Sequence, residues 1–258
     1  MMQIHPTAIV NPHAELGSDV KIGPYCVIGD RVFIGKDTVI GSHTVIEGHT
    51  IIGERNTIYP FVCIGTPPQD IGYKDEDTCI HIGDDNIIRE YVNINRATTK
   101  QDRVTLVGNK NFIMAYSHIA HDCVLGDGII MANVATLGGH TTIGDHANLG
   151  GLVAIHQFVR IGTHAFIGGK SAVGQDVPPF VLAVGDRAKP YGINQKGLKR
   201  FGFPPDVIDG LKKAYRIIWR ETRQLNEGIT RVREEIPSFP ELEMFLNFIL
   251  ESKRGVVR

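Results

Sequence analysis

Aliphatic residues recur at every sixth position along most of this chain. The series covers residues 4–64, 82–94 and 107–173, and glycine often follows the aliphatic residue. It lapses in two polar segments, at about 66–80 and 96–106. A period of six is a multiple of the strand period of two, and it does not match the 3.6-residue period of a helix. The pattern therefore predicts short β-strands joined by tight corners.

Hexapeptide repeats of this kind are typical of a parallel β-helix, in which each strand stacks on its equivalent in the next coil. Three hexads complete one triangular coil, so residues eighteen apart should stack at the strand spacing of about 4.8 Å. Two positions before each aliphatic residue the side chain is usually small or β-branched, as at Val20, Cys26 and Ala135. The 29 glycines, 7% aromatic residues and single tryptophan agree with such a narrow interior.

The repeat ends near Pro178, and helical patterns follow it. We therefore expect a mainly β protein, with a β-helix and its two inserted loops at residues 1–189 and an α-helical C-terminal domain at residues 190–258. This tail should cap the last coil, whose strand edges and core would otherwise be exposed. The predicted helices open at residues 204–206, span 225–235 and begin at Pro240, with apolar faces formed by Val207, Leu211, Ala214, Tyr215, Ile218 and Trp219 in the first and by Leu242, Phe245, Leu246, Ile249 and Leu250 in the third.

Charge and hydropathy narrow the possible functions. With 27 Lys and Arg against 28 Asp and Glu, the net charge of −1 excludes a surface that is basic throughout, as nucleic-acid binding would favour. No apolar run reaches the roughly 18 residues of a transmembrane helix, and residues 1–6 lack the features of a signal peptide. The four cysteines form no CxxC pair, which is typical of reduced thiols. We therefore expect a cytoplasmic protein with no nucleic-acid partner and no integral membrane segment.

A cluster of polar residues is predicted where three successive coils meet. Two histidines lie on one predicted coil, and the residues eighteen and thirty-six positions after the second of them, with their neighbours, are also polar or glycine. The repeat therefore brings residues that are distant in sequence onto one corner of the solenoid. The cluster consists of His118, His121, Asp122, Gly139, His140, His156 and Gln157.

General-base chemistry suits this cluster. A neutral imidazole at His121 can remove a hydroxyl proton near pH 7, and Asp122 can orient it. The backbone N–H of Gly139 can stabilise an oxyanion. Cys123 falls at a core position, so no nucleophile is expected to form an acyl-enzyme. Three imidazoles could instead hold zinc with one open position, but the His118-x-x-His121 spacing fits that alternative poorly, and we predict no metal.

Several motifs make the resemblance to a known family specific. They resemble the acyl-carrier-protein–UDP-N-acetylglucosamine O-acyltransferases of lipid A synthesis over nearly the whole chain. The β-helix of these hexapeptide acyltransferases is left-handed, and the resemblance alone implies this, since parallel crossovers are usually right-handed. The motifs are HIAHDC at 118–123, GGH at 138–140, GG at 150–151, HQF at 156–158, QDVPP at 175–179, GLKR at 197–200 and GF at 202–203.

The resemblance implies transfer of an (R)-3-hydroxyacyl chain from acyl carrier protein to the glucosamine 3-hydroxyl of UDP-N-acetylglucosamine. It implies no cofactor beyond the phosphopantetheine of the carrier protein, and a homotrimer with active sites between subunits. His121 would be the general base, Asp122 its orienting partner and Gly139 the oxyanion donor. The residues matched to sugar, phosphate or nucleotide contacts are Asp70, His118, His140, His156, Gln157, Asn194 and Arg200.

The chain departs from the family pattern at three positions. Gly72 stands where a lysine is common, so a phosphate contact is either missing or supplied by Lys74. Phe201 replaces a candidate cation, and Lys196 replaces a common carboxylate. These departures leave the nucleotide contacts and the preferred sugar open.

Two further features concern the acyl donor. Gly169 matches the position that sets chain length, and a glycine there implies an open groove and a chain of about fourteen carbons, although Lys170 lies beside it. Residues 187–223 carry ten Lys or Arg against three acids, net +7, so the rest of the chain carries −8. This basic segment, including Lys212 and Lys213, is the expected dock for an acidic acyl carrier protein.

Two alternatives to this function remain open. One is another sugar-nucleotide N-acyltransferase or acetyltransferase of the same solenoid class. The other is a non-catalytic scaffold, which explains the repeat and the helical tail but not the cluster around His121.

Overall fold

The computed structural model describes all 258 residues of the chain. Its strands form three sheets, in which each strand pairs in parallel with its equivalent in the next coil, apart from one antiparallel pair at the end of sheet 1. The predicted parallel β-helix is therefore present, and the sheets are the three sides of a prism. Sheet 1 contains β1 Gln3–Ile4, β4 Lys21–Ile22, β7 Val39–Ile40, β10 Thr57–Ile58, β13 Ile87–Ile88, β16 Phe112–Ile113, β19 Ile130–Met131, β22 Asn148–Leu149, β25 Phe166–Ile167, β27 Val181–Val184 and β28 Lys189–Ile193.

The other two sides carry the remaining strands. Sheet 2 contains β2 Ile9–Val10, β5 Val27–Ile28, β8 Val45–Ile46, β11 Cys63–Thr66, β14 Asn93–Asn95, β17 His118–Ile119, β20 Thr136–Leu137, β23 Ala154–Ile155 and β26 Ala172–Val173. Sheet 3 contains β3 Glu15–Leu16, β6 Val32–Ile34, β9 His49–Ile52, β12 Cys79–Ile82, β15 Val104–Val107, β18 Val124–Leu125, β21 Thr142–Ile143 and β24 Arg160–Ile161.

Strand register follows the six-residue period. Ile4 pairs with Ile22, eighteen residues on, as three hexads per coil require. Two coils are longer: Ile52 pairs with Ile82, and Ile82 with Val107. The extra residues form the two inserted loops, at 67–78 and 96–103, which are shorter than the polar segments suggested. The reason is that β12 and β15 pair over four residues each and so take up the flanks of both polar segments.

The core of the prism is a column of aliphatic side chains. The residues of the six-residue series from Ile22 onward are almost fully buried, with Ile34, Ile64 and Ile113 at 0% exposure. Their neighbours along each two-residue strand point outward, as the strand period of two demands. Burial of one aliphatic and one small residue per hexad therefore accounts for the scarcity of aromatic residues in the interior.

A buried asparagine ladder crosses the two longer coils. Asn56, Asn86 and Asn111 are at most 1% exposed. The Asn86 side-chain oxygen accepts from the backbone N–H of Asn111 at 2.9 Å, and its amide donates to the Asn56 side-chain oxygen at 3.0 Å. The Asn111 oxygen in turn accepts from Ile129 N–H at 2.7 Å. The ladder satisfies backbone groups where the coil length changes.

We expect Asn86→Ala to destabilise the protein by about 2–3 kcal/mol, because it leaves the buried N–H of Asn111 without an acceptor, while the Asn56 oxygen keeps only the backbone N–H of residue 86. Urea denaturation at fixed protein concentration measures the change. Asn226→Ala removes the same amide from an exposed helical position and should change stability by less than about 0.5 kcal/mol. Equal effects of the two variants would contradict a stabilising role for the ladder.

The C-terminal region is helical. It contains α1 Gln195–Arg200, α2 Pro205–Arg216, a π-helical turn Ile217–Glu221, α3 Leu225–Glu235 and α4 Pro240–Leu250. The three predicted helices are present, whereas α1 was not predicted; its signal is Asn194, whose side chain caps the helix by accepting from Gly197 N–H at 3.1 Å. The boundary expected at 189 falls on the first residue of β28, which pairs with β27 and keeps the chain in sheet 1 up to Ile193.

The helical region packs back on the end of the β-helix. The Tyr215 hydroxyl donates to the Pro190 carbonyl at 2.8 Å, and the Trp219 indole donates to the Val257 carbonyl at 2.9 Å. Val257 N–H donates to the carbonyl of Asp176 in the last coil. None of the helices has both the length and the apolar content needed to cross a membrane.

Candidate active site

One corner of the prism carries the histidine cluster. Asp122, His140 and Phe158 occupy equivalent corner positions on three successive coils, with φ of 59°, 62° and 64°. Such left-handed values are uncommon outside glycine, and here the tight corner of each coil imposes them. The rings of His140 and Phe158 stack with centroids 4.4 Å apart. The corner therefore holds polar side chains in fixed positions one coil apart.

His121 and Asp122 form a closely coupled pair. His121 Nδ1 lies 2.7 Å from Asp122 Oδ2. Because an ionised carboxylate only accepts hydrogen bonds, Nδ1 carries a proton, and in the neutral form of the ring the Nε2 lone pair is free. Thr98 of the second inserted loop donates to the same Oδ2 from its hydroxyl at 2.7 Å and its N–H at 3.1 Å. The carboxylate is thus held on one side by the loop and orients the imidazole on the other.

Hydrogen bonding keeps Asp122 ionised despite its burial. Burial by itself would raise the pKa of this carboxyl, which is 3% exposed, but the hydrogen bonds from His121 and Thr98 outweigh it and hold the pKa below its usual value. The second oxygen, Oδ1, is buried without a partner. In the following residue, Cys123, burial raises the pKa of the thiol to about 12, so this cysteine stays protonated and is no nucleophile.

Gly139 brings backbone directly against the imidazole. A Cβ at this position would lie 2.5 Å from His121 Cε1 and 2.7 Å from Nε2, closer than real carbon contacts allow. The neighbouring N–H groups of Gly138 and His140 bond to Ile155 and His121 carbonyls, whereas the Gly139 N–H makes no hydrogen bond within the chain. An unpaired N–H on a residue that lies against the base is available to stabilise an oxyanion.

His140 and His118 are neutral neighbours of this pair. The His140 Nδ1–H donates to Gln101 Oε1 at 2.7 Å, while Nε2 lies 3.8 Å from Asp122 Oδ2. Burial lowers the pKa of His140 against the opposing pull of Asp122, and burial followed by the charge of nearby His121 lowers that of His118. Both rings therefore serve as hydrogen-bonding groups rather than cations at neutral pH.

The cluster opens into a cleft of about 490 Å³. The first inserted loop contributes Asp70, whose Oδ2 forms an ion pair with Lys100 of the second loop. The Lys100 hydrogen bond, followed by that from Gly72 N–H, keeps the pKa of Asp70 below its usual value. The lining residues are Gln69, Asp70, Ile71, Lys100, His121, His140, Gln157 and Phe158.

Other predicted residues lie away from this cleft. His156 turns toward the C-terminus, where its Nδ1 lies 2.9 Å from Arg254 Nη2, and it lines a second cleft of about 540 Å³. Asn194 donates to the His164 carbonyl at 3.0 Å, on a different corner of the prism, and exposed Arg200 ends the helix that Asn194 begins. A Cβ on Gly169 would lie 3.2 Å from the Gly151 carbonyl oxygen. One chain thus brings together only part of the predicted site.

Three donors at the corner could share a metal ion. One ligand atom each of His121, Asp122 and His140 lie within 4.8 Å of one another. His118, which the sequence grouped with His121 as a possible ligand pair, is not among them. Binding there would compete with the hydrogen bonds that Asp122 already accepts from Thr98.

The sequence did not reveal the contribution of the second inserted loop. Thr98, Lys100 and Gln101 each contact a residue of the predicted site. They lie in a segment without the six-residue period, so the stacking register could not place them. Their only signal was the polarity of the segment and its position less than one coil before His121.

Comparison with known proteins identifies the family. Residues 31–66 match the hexapeptide family, described as bacterial transferase hexapeptide (six repeats). Residues 176–257 match a second family, described as "Udp N-acetylglucosamine O-acyltransferase; Domain 2". An acyl-(acyl-carrier-protein)–UDP-N-acetylglucosamine O-acyltransferase from Thermodesulfovibrio yellowstonii is 56% identical, with all of both chains covered.

Solved structures agree over the same length. A UDP-N-acetylglucosamine acyltransferase from Bacteroides fragilis is 38% identical with a TM-score of 0.96, covering 98% of this chain and 99% of that one. The enzyme from Campylobacter jejuni is 40% identical with a TM-score of 0.93, covering 99% and 100%. The predicted fold class, a left-handed parallel β-helix with a helical C-terminal region, is confirmed. The chain therefore belongs to the UDP-N-acetylglucosamine O-acyltransferase family, the acyltransferases of lipid A biosynthesis.

Proposed function

We propose that this enzyme transfers an (R)-3-hydroxyacyl group from acyl carrier protein to the glucosamine 3-hydroxyl of UDP-N-acetylglucosamine. The observation that carries the proposal is the His121–Asp122 pair, whose Nε2 has no partner, beside Gly139, whose N–H makes no hydrogen bond within the chain. The names of the relatives support the two substrates, since they combine acyl carrier protein with UDP-N-acetylglucosamine. The proposal needs no metal and no cofactor other than the carrier's own phosphopantetheine.

In this mechanism His121 Nε2 removes the proton of the acceptor hydroxyl as its oxygen attacks the thioester carbonyl. The negative charge that develops on the carbonyl oxygen is stabilised by the Gly139 N–H. The carbon–sulfur bond then breaks, and the imidazolium returns its proton to the leaving thiolate of phosphopantetheine. Asp122 stabilises the imidazolium in between, and its low pKa keeps it charged throughout the neutral range. No acyl-enzyme forms, in keeping with the protonated, buried Cys123.

A mass spectrum of the product tests the proposal directly. Purified protein is incubated with UDP-N-acetylglucosamine and a defined 3-hydroxyacyl carrier protein, and the product is then treated with mild base. We expect one added acyl group that base releases as an ester. A base-stable amide would point instead to an N-acyltransferase, and the absence of any product with every donor would favour the scaffold alternative.

The site residues on two corners of the prism are best explained by a homotrimer, as the resemblance implies. The cleft of His121 and the helix end with Asn194 and Arg200 belong to different corners of one chain. We infer that neighbouring subunits bring such corners together, so that each active site takes His121 from one subunit and Arg200 from the next.

Mixed trimers test this arrangement. In a trimer that contains both His121→Ala and Arg200→Ala subunits, one of the three interfaces always combines two intact contributions, so we expect about one third of wild-type activity. Each homotrimer of a single variant should be nearly inactive, and differently tagged subunits allow purification of the mixed species. Mixed trimers as inactive as their parents would mean that both residues act within one subunit.

Acyl carrier protein is proposed to dock on the basic segment 187–223. Part of its charge is already neutralised, since Lys212 pairs with Asp209 at 3.0 Å and Lys213 lies 3.6 Å from Glu235. Lys199 and Arg200, in the last turn of α1, form no ion pair and are exposed. The docking attraction therefore depends on the unpaired cations of the segment, which also include Arg187, Lys189 and Lys196, and it should weaken as salt rises.

The groove beside Gly169 is proposed to accept a long acyl chain. We expect Gly169→Met to favour a ten-carbon over a fourteen-carbon donor by about 100-fold or more in kcat/KM, since four methylenes lose burial worth about 0.8 kcal/mol each. Competition between the two donors measures the ratio. Lys110→Met adds the same side chain at an exposed position of another corner and should leave the ratio unchanged. A wild-type preference for ten carbons would contradict the open groove.

A further inference from the structure

The cleft beside His121 contains a single permanent cation. Of its lining residues, Lys100 alone is a lysine or arginine. Its ammonium group pairs with Asp70, whose side chain is 17% exposed, while 59% of the Lys100 side chain remains accessible. An accessible ammonium at the mouth of a cleft is available to an anionic ligand.

The loop around Lys100 is attached to the catalytic corner on both sides. Thr98 donates to Asp122, and Gln101 accepts from His140 at 2.7 Å. The Lys100 N–H itself donates to the Thr98 hydroxyl at 3.3 Å. These contacts therefore fix the backbone at Lys100 relative to the base, and Asp70 holds the ammonium at the cleft.

The other cation that the sequence offered does not reach the cleft. Lys74 is exposed, its N–H donates to Glu76 Oε2 at 2.8 Å, and it is absent from the lining. Gly72 is closer: its N–H donates to Asp70 Oδ1 at 2.8 Å, and a Cβ there would lie 3.3 Å from the same oxygen. A side chain at 72 and the side chain of Lys100 would therefore reach the same carboxylate from two different loops.

We propose that Lys100 is a substrate-binding residue that holds the diphosphate of the sugar nucleotide, in the place that a lysine at position 72 would fill. This inference rests on the proposed function, since the diphosphate is the charged part of that acceptor and is attached two ring carbons from the reacting hydroxyl. An ammonium binds phosphate as a point charge. In the free protein Asp70 neutralises Lys100, and in the complex the ammonium is shared between carboxylate and diphosphate.

The KM values of Lys100→Met test this role. We expect the KM for UDP-N-acetylglucosamine to rise about 10- to 100-fold, with kcat changed by less than about threefold, since a hydrogen bond to a charged group is lost. The KM for acyl carrier protein should stay constant; if it rises instead, Lys100 binds the phosphopantetheine phosphate and the proposal is wrong. Lys36→Met is the control, because Lys36 is an exposed lysine with its own aspartate at 3.7 Å.

A second-site rescue separates binding from loop support. Adding Gly72→Lys to Lys100→Met should restore most of the lost affinity, whereas Gly72→Ala in the same background should not. A loss of kcat and thermal stability without a change in KM would make Lys100 a structural residue and overturn the proposal. So would a rise in KM in Lys74→Met instead of Lys100→Met.

Direct binding keeps this inference separate from the proposed function. Calorimetry can measure the binding of uridine diphosphate to the wild-type protein and to Lys100→Met, and this measurement needs no turnover. Weaker binding to the variant supports the role of Lys100 even if no acyl transfer is seen. Equal binding by an enzyme that does form the expected product refutes the role of Lys100 alone.

Discussion

His121→Ala is expected to lower kcat/KM by about 10²- to 10⁴-fold, the range that general-base catalysis supplies. The imidazole is the one group of the cleft with a free basic nitrogen whose other nitrogen is fixed by a carboxylate. Its removal leaves water as the base, while the Gly139 N–H and the substrate contacts remain. The residual activity should therefore exceed the uncatalysed rate, and only the contribution of the general base should be lost.

The measurement is steady-state turnover with saturating donor, alongside circular dichroism and a thermal melt. The His121 side chain is 13% exposed and takes no part in the aliphatic column, so the fold should be retained, with a lower melting temperature because the buried Asp122 loses one hydrogen bond. His13→Ala removes an exposed histidine from the first coils and should retain full activity. Near-normal turnover by His121→Ala with an intact fold would refute the base assignment.

The sequence predicted the periodic parts of the molecule well and the aperiodic loops poorly. The six-residue period determines both the strands and the stacking of the corners. The proximity of His121 to Gly139 and Gln157 therefore followed from their spacing of eighteen residues, one coil each. The apolar faces of α2 and α4 were also predicted, apart from Leu250, which is 50% exposed, because helix burial repeats every three or four residues. Periodic features follow from one local rule that is repeated many times, so an error in one repeat does not change the register predicted for the others.

The contacts made by the aperiodic loops could not be predicted from the sequence. Thr98 and Gln101 approach Asp122 and His140 because their loop folds back over the corner, and no spacing in the sequence encodes that path. The same holds for the ion pair of Asp70 with Lys100, which joins two separate insertions. The contact between His156 and Arg254 is a further example, because it joins the repeat to the far end of the chain and no spacing in the sequence encodes it.

Gly139→Ala is expected to lower kcat/KM by about 100- to 1000-fold, although alanine retains the N–H that the mechanism needs. The added Cβ would lie 2.5 Å from His121 Cε1, so the imidazole must move and its 2.7 Å bond to Asp122 must lengthen or break. The backbone at 139 is not in the left-handed region, so alanine adds no strain of its own there. The change therefore acts on the position of the base.

The double variant with His121→Ala distinguishes this explanation from a general loss of structure. If Gly139→Ala acts by displacing His121, then adding it to His121→Ala should cost little further activity, and the two effects should be strongly non-additive. Gly174→Ala is the matched control for the glycine change, because a Cβ there meets nothing within 4 Å. Multiplicative losses in the double variant would instead show that the peptide at 139 contributes independently of the imidazole, and the steric link between the two residues would then be rejected.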